Sequence, residues 1–172
     1  MKLNGRTLKR RLFGLTTLPS RVARARYFRG HGVHSPFVYR IVRQVFMKHT
    51  LQTDERALYD ALRNVGVPHR RAVQLQNLAA HLDYRTFQLN AWCKTCDWLL
   101  LTPALTADAT TALVAQATAV GRTVVLLDPY QGRERAHLCR TLVEEHRCTS
   151  VDKRGFVLLF THPDLPKQHY RI

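Results

Sequence analysis

The alternation of short apolar segments with amphipathic ones after residue 86 constrains the fold of this chain more than any other feature. The run 123–128 is β-branched and apolar and lies between Gly121 and Pro129, so it predicts a buried strand. Residues 152–155, Asp-Lys-Arg-Gly, predict a hairpin turn. The predicted elements in this part are strands at 86–90, 97–101, 123–128, 148–151 and 156–160, and helices at 106–120 and 133–146. This order predicts a layered α/β body with mostly parallel pairing and an antiparallel edge.

Helical patterns dominate the chain before residue 86. Phe37, Ile41, Val42, Val45 and Phe46 recur at helical spacing, which predicts a helix with one buried face and cations on the other. Further helices are predicted at 6–14, 20–29, 54–63 and 71–82. The glycines and the proline of 30–36 predict a loop in front of the helix that starts near Phe37.

The positive charge is concentrated at the front of the chain. The formal net charge is +15, yet the first acidic residue is Asp54, and twelve Lys and Arg precede it. We therefore divide the chain into a basic helical arm, residues 1–50, and an α/β domain, residues 51–172. A block of like charge favours an anionic partner such as nucleic acid or another polyanion. The alternative is a solvated basic face that only prevents aggregation.

Aromatic residues are interleaved with the cations of the arm, as in proteins that stack on exposed bases while neutralising phosphates. No DNA- or RNA-binding motif accompanies them, so the sequence does not predict sequence-specific recognition. The predicted anion-binding residues are Arg10, Arg11, Arg24, Arg26, Arg29, His31, His34, Arg40 and Arg43. For the two histidines, the alternative is that they and Ser35 hydrogen-bond the loop to the body and start the next helix.

The sequence contains no apolar run long enough to span a bilayer, and no secretion signal is recognisable. Four cysteines without such a signal favour reduced thiols, and we expect a cytoplasmic location. The motif Cys93-Lys-Thr-Cys96 resembles half of a zinc site or a redox pair. Cys139 and Cys148 do not repeat the spacing, although His137 and His146 keep a mixed site open. We predict no metal site and expect the thiols to act as small buried side chains.

Three stretches of the chain resemble a bacterial family of class I S-adenosylmethionine-dependent methyltransferases. Residues 29–46 contain His-Gly-Val-His-Ser-Pro-Phe-Val-Tyr, which is similar to the N-terminal segment of that family. Residues 71–90 resemble the helix and the first strand that precede the cofactor loop. Residues 121–172 resemble the last third, including the hairpin and the ending Leu-Pro-Lys-Gln-His-Tyr. The resemblance implies a reduced Rossmann-like sheet of about four to five strands.

The chain departs from that family where the cofactor would bind. The family has an acidic, glycine-rich turn after the first strand, because backbone N–H groups must approach the ligand closely there. Here the first strand runs into Asn90-Ala91-Trp92-Cys93, and no glycine occurs between Gly66 and Gly121. Only six residues separate the predicted strands 86–90 and 97–101, too few for a crossover helix. We therefore expect these strands to be antiparallel neighbours, or one of them to be wrongly assigned.

The resemblance leaves Asp128 and Tyr130 as remnants of a former catalytic site, because the family also places an acid at the end of that strand. We expect a degenerate, non-catalytic relative that binds an anionic polymer or a protein partner and requires no cofactor. The alternative is an active methyltransferase that binds S-adenosylmethionine in an unusual pocket completed by a homo-oligomer.

Overall fold

Strands and helices alternate along the second half of the chain and build one mixed sheet of six strands. The computed structural model describes residues 33–172. The strands are β1 (Phe87–Leu89), β2 (Trp98–Leu101), β3 (Thr123–Leu127), β4 (Ser150–Asp152), β5 (Phe156–Leu159) and β6 (His169–Arg171). Their order across the sheet is β1-β2-β3-β5-β4-β6. The predicted α/β class is confirmed.

The sheet combines a parallel half and a half built on a hairpin. Strands β1, β2 and β3 are parallel, and Leu100 pairs with Leu89 on one side and Val125 on the other. Strand β5 is antiparallel to β3 and to β4, so the predicted hairpin lies beside β3. The last strand, β6, is parallel to β4.

The predicted antiparallel arrangement of the first two strands is wrong, and both strands are correctly assigned. β1 has only three residues, so it is about 10 Å long at the usual rise per residue. Residues 90–97 are therefore long enough to return to the start of β2 without a helix. The antiparallel prediction assumed strands of ordinary length, for which a parallel connection needs a crossover helix.

The predicted number of four to five strands is also too low, because β6 was missed. Its sequence, His-Tyr-Arg, has neither β-branched nor aliphatic residues and is mostly exposed. Contacts outside the strand hold it in place. The Ser150 N–H donates to the Gln168 carbonyl at 2.8 Å, and the Thr149 hydroxyl donates to the Pro166 carbonyl at 2.8 Å.

Helices cover both faces of the sheet. They are α1 (Pro36–Ile41), which continues into a π-helical turn (Val42–Phe46), α2 (Ala57–Asn64), α3 (His69–His81), α4 (Ala107–Ala119) and α5 (Arg133–Glu145). One apolar cluster joins α1, the π-helical turn, α2 and α3 to one face, and a second joins α4 and α5 to the other. Within the described residues, no helix is long and apolar enough to cross a membrane.

Successive residues of the central strands alternate between the two cores, as expected for a sheet covered on both sides. Trp98 and Leu100 of β2 belong to the first core, while Leu99 and Leu101 belong to the second. All four side chains are buried. The uninterrupted apolar run that predicted a buried strand is therefore explained by helices on both faces.

The segment 33–46 contributes directly to the first core. Ser35 starts α1, since its hydroxyl accepts a hydrogen bond from the Val38 N–H at 3.3 Å. This confirms the structural alternative for Ser35. Val38, Ile41 and Val45 are almost completely buried. They contact the same core as the sheet, so these residues cannot be removed without exposing apolar surface.

Helix α3 lies between the sheet and the preceding segment and carries three buried polar side chains. The Gln74 amide donates to the Phe46 carbonyl at 2.9 Å. The Gln76 carbonyl oxygen accepts from the Tyr59 N–H at 2.9 Å, and Asn77 bonds the backbone of residues 50 and 52. These amides bond backbone groups of the π-helical turn, of the connection to α2 and of the first turn of α2.

Candidate functional site at the carboxyl ends of the strands

The carboxyl ends of parallel strands are where open α/β sheets bind ligands. At the end of β1, Asn90 adopts a left-handed conformation with φ of 54°, which asparagine tolerates. Its Oδ1 accepts from the Thr102 N–H at 2.8 Å, and its Nδ2 donates to the Thr102 hydroxyl at 2.8 Å. Asn90 therefore fastens the end of β1 to the end of β2. This is the position of the glycine-rich turn in the family that the sequence resembles.

A guanidinium closes the gap between the next two strand ends. Arg135, in the first turn of α5, donates from one terminal nitrogen to the Leu101 carbonyl at 3.0 Å and to the Leu127 carbonyl at 3.4 Å. Its other terminal nitrogen lies 3.3 Å from the Thr110 hydroxyl. Burial lowers the pKa of Arg135, while the nearby Cys139 and Asp128 act in the opposite direction.

Sequence reasoning missed Arg135, although a signal was present. The first turn of a helix that follows a parallel strand lies beside the carboxyl ends of its neighbours. Which cation of that turn points inward depends on the rotation of the helix. That rotation is set by the packing of Cys139 and Leu142 into the second core.

The predicted remnant Asp128 lies at the end of β3 and forms an ion pair with Arg71 of α3. Its φ of 44° is in the left-handed region, where aspartate is one of the more frequent non-glycine residues. The Arg71 side chain passes over Gly155 in the β4–β5 turn, where an added Cβ would collide with it. Glycine at that position therefore gives the guanidinium room to reach Asp128.

The second predicted remnant, Tyr130, is bound to a different carboxylate. Its hydroxyl donates to Asp152 at the end of β4, and Asp152 is 2% exposed. The other carboxylate oxygen of Asp152 accepts from the Arg154 N–H at 2.7 Å. Asp128 and Tyr130 thus lie in one region but take part in separate contacts, Asp128 with Arg71 and Tyr130 with Asp152.

The described part of the predicted anion-binding set lies on an exposed helix face. Arg40 and Arg43 are exposed, opposite the buried face of α1 and the π-helical turn, and His34 is exposed in the loop before them. The other predicted residues, Arg10, Arg11, Arg24, Arg26, Arg29 and His31, lie outside the described residues.

Three further cations, not predicted from the sequence, lie in or near the β4–β5 turn, which contacts the end of the π-helical turn. Lys153, in the β4–β5 turn, places its ammonium 5.3 Å from the centre of the Phe46 ring, at the end of the π-helical turn. Burial lowers the pKa of Lys153 to about 8, and the charge of Arg70 adds to this effect. Arg154 follows Lys153 and is exposed. We call Arg40, Arg43, Arg70, Lys153 and Arg154 the cationic surface.

The Cys93-Lys-Thr-Cys96 motif forms a turn between β1 and β2. Cys93 is partly exposed and Cys96 is buried. Within residues 33–172, no group of three or more His, Cys, Asp or Glu side chains is placed to hold a metal ion. His146, one of the histidines considered beside the cysteines, instead lies with Nε2 2.6 Å from the Phe160 carbonyl.

Three comparisons bear on what this arrangement resembles among known proteins. No protein-family model, no curated protein and no solved structure matches the chain. The function is therefore inferred from the chain's own residues and geometry.

Proposed function

We propose that this protein is a shortened, non-catalytic relative of class I methyltransferases whose cationic surface binds an anionic polymer, nucleic acid being the first to test. The observation that carries the non-catalytic part of the proposal is the closed edge at the carboxyl ends of β1, β2 and β3. The parallel half of the sheet followed by a hairpin supports the relationship, because the sequence resemblance predicts this order of elements. A cytoplasmic location is part of the same proposal.

The absence of catalysis is supported by how the polar groups of this edge are engaged. A cofactor would need backbone N–H groups that face an open turn. At the end of β1, the Asn90 N–H donates to the Leu100 carbonyl at 3.0 Å, and the Asn90 side chain is bound to Thr102. Asp128 is paired with Arg71. A ligand would have to break these contacts before it gained its own.

Anion binding is supported by the position of charges around the end of the π-helical turn. Arg40 and Arg43 are exposed on the helical segment 36–46, and the contact between Lys153 and Phe46 brings the β4–β5 turn against the end of the same segment. Clustered cations of this kind contact phosphates without reading bases.

The first test is titration of S-adenosylmethionine into the protein in a calorimeter. We expect no heat of binding, because the turn after β1 is closed by Asn90 and Thr102. A methyltransferase whose binding site is known serves as the positive control. Micromolar binding would overturn the non-catalytic proposal and favour the alternative of an atypical pocket. If binding appeared only together with dimerisation, it would favour completion of the pocket by a second copy.

The second test measures affinity for single-stranded and duplex nucleic acid over a range of salt concentrations. We expect the logarithm of the binding constant to fall linearly with the logarithm of salt, by about 0.7 per phosphate contact on a single strand and about 0.9 on a duplex. The double variant Arg40→Gln and Arg43→Gln should make this slope shallower by about 1.4 on a single strand, because two phosphate contacts are lost. A slope near zero, or no binding at low salt, would contradict the proposal.

Two variants make this second test specific. Arg133 and Arg140 are exposed on α5, which covers the opposite face of the sheet. Their replacement by glutamine removes the same charge and should leave the slope unchanged. Arg154 has a φ of 63°, where a Cβ is unfavourable by about 1 kcal/mol. Arg154→Gly relieves this strain and should weaken nucleic-acid binding, and urea unfolding of the same variant separates lost charge from lost fold.

A further inference from the structure

The turn between β1 and β2 holds two thiols in contact with each other's backbone. The Cys96 N–H donates to Cys93 Sγ at 3.2 Å, and the Cys96 thiol donates to the Cys93 carbonyl at 3.2 Å. Thr95 Oγ1 lies 3.7 Å from Cys93 Sγ. The polymer-binding function proposed above does not use this turn.

The two thiols differ in exposure, and this difference gives them different chemical roles. Cys93 is partly exposed, whereas Cys96 is 1% exposed and packs in the second core with Leu99 and Leu101. The hydrogen bonds from Thr95 and Cys96 lower the pKa of Cys93, because they stabilise its thiolate. Burial, reinforced by Cys93, raises the pKa of Cys96 to about 12. A partly exposed thiol with a lowered pKa beside a buried thiol is the arrangement of an attacking and a resolving cysteine.

A cation lies on the other side of this turn. Arg122, just before β3, donates from its terminal nitrogen to the Lys94 carbonyl at 3.4 Å. Its Nε is buried and has no hydrogen-bond partner within the described residues. The charge of Arg122 acts to lower the pKa of Cys96, against the effect of burial. Arg122 therefore fastens the turn to the start of β3.

We propose that Cys93 and Cys96 form a reversible dithiol–disulfide couple that exchanges with low-molecular-weight disulfides such as glutathione disulfide. The Cys93 thiolate attacks one glutathione sulfur, forming a mixed disulfide and releasing one glutathione thiolate. Cys96 then loses its proton to solvent, attacks the Cys93 sulfur and releases the second glutathione thiolate, and both thiolates are protonated by solvent. The protein loses two electrons, and glutathione disulfide gains them.

The test uses the full chain with Cys148 replaced by serine, so that the pair and the buried Cys139 are the remaining thiols. The protein is equilibrated with reduced and oxidised glutathione at several ratios, quenched with acid, and mapped by peptide mass. We expect an internal Cys93–Cys96 disulfide that is fully reversed by dithiothreitol. Cys96→Ser, and Cys96→Ala as a second variant, should accumulate the mixed disulfide on Cys93. Cys93→Ser should leave Cys96 unmodified.

A pH profile separates a chemical role of Thr95 from a structural one. Thr95→Val removes the hydroxyl beside Cys93, so the midpoint of Cys93 alkylation by iodoacetamide should move to higher pH. For a rise of one pKa unit, alkylation at neutral pH slows about threefold, because the loss of thiolate outweighs its higher nucleophilicity. An unchanged midpoint would contradict the assigned role of Thr95.

Three outcomes would overturn the proposal. The first is a pair of free thiols at every glutathione ratio, and the second is a mixed disulfide on Cys93 that does not resolve in the protein with both cysteines. The third is protection of both thiols by an equimolar amount of added Zn²⁺, which would assign the turn to metal binding with ligands completed from elsewhere.

Discussion

At the residue scale, Lys153 couples the charge of the candidate surface to the packing of the core. Its ammonium lies over the Phe46 ring, and Phe46 is itself 1% exposed. Removing the ammonium from water disfavours its charged form, which explains the lowered pKa of about 8. Lys153 therefore loses its charge above about pH 8, where ordinary lysines remain protonated.

The lowered pKa of Lys153 predicts a pH dependence of stability. Between about pH 8 and pH 10.5, the unfolded chain keeps a proton on Lys153 that the folded protein has released. The unfolded state then binds more protons, so this residue makes the free energy of unfolding rise with pH in that window. We expect the wild type to gain stability relative to Lys153→Met as the pH rises from 8 to 10, measured by urea unfolding.

The comparison between variant and wild type is needed because other groups titrate in the same window. Burial raises the pKa of Cys96 to about 12 and that of Cys139 to about 11, and these thiols make stability fall with pH. Both remain in Lys153→Met, so their effect cancels in the difference. Lys48→Met, which changes an exposed lysine after the π-helical turn, is the matched control for the loss of one charge. A constant difference between wild type and Lys153→Met would contradict the burial argument.

At the scale of elements, α3 organises the chain before the sheet through its buried amides. Asn77 is 3% exposed. Its Nδ2 donates to the Thr50 carbonyl at 2.9 Å, and its Oδ1 accepts from the Gln52 N–H at 2.9 Å. One side chain therefore satisfies both a donor and an acceptor of the connection that leads from the π-helical turn to α2. The helix was predicted from its apolar positions, while the role of its polar positions depends on what packs against them.

We expect Asn77→Ala to lower the free energy of unfolding by about 2 kcal/mol, because two backbone groups lose their partner and a buried amide is removed. Amide hydrogen exchange at Gln52 should accelerate in the same variant. Asn64→Ala, at the exposed end of α2, is the control and should change stability by less than about 0.5 kcal/mol. Equal losses in the two variants would show that Asn77 does not anchor the connection.

At the scale of the whole molecule, local pattern predicted most elements and few of the contacts that define the site. The strand at Thr123–Leu127 and the helices that flank it lie within one or two residues of their predicted bounds. Their periodicity is local, so no knowledge of the fold was needed to find them. β6 was missed because it has only three residues, of which Tyr170 alone is of a strand-favouring type, and its pairing with β4 depends on contacts of the loop before it.

The sequence by itself determined the α/β class, the buried faces of the helices, the concentration of positive charge before Asp54, and the lack of glycine after β1. Only the tertiary structure decided which side chains meet. Arg71 and Asp128 are 57 positions apart, and Arg135 bonds carbonyls of both β2 and β3. Periodicity identifies which face of an element is buried, but the partner of a polar side chain depends on strand order and helix rotation. Those are set by the packing of the two cores, and they bring Arg71 to Asp128 and Tyr130 to Asp152.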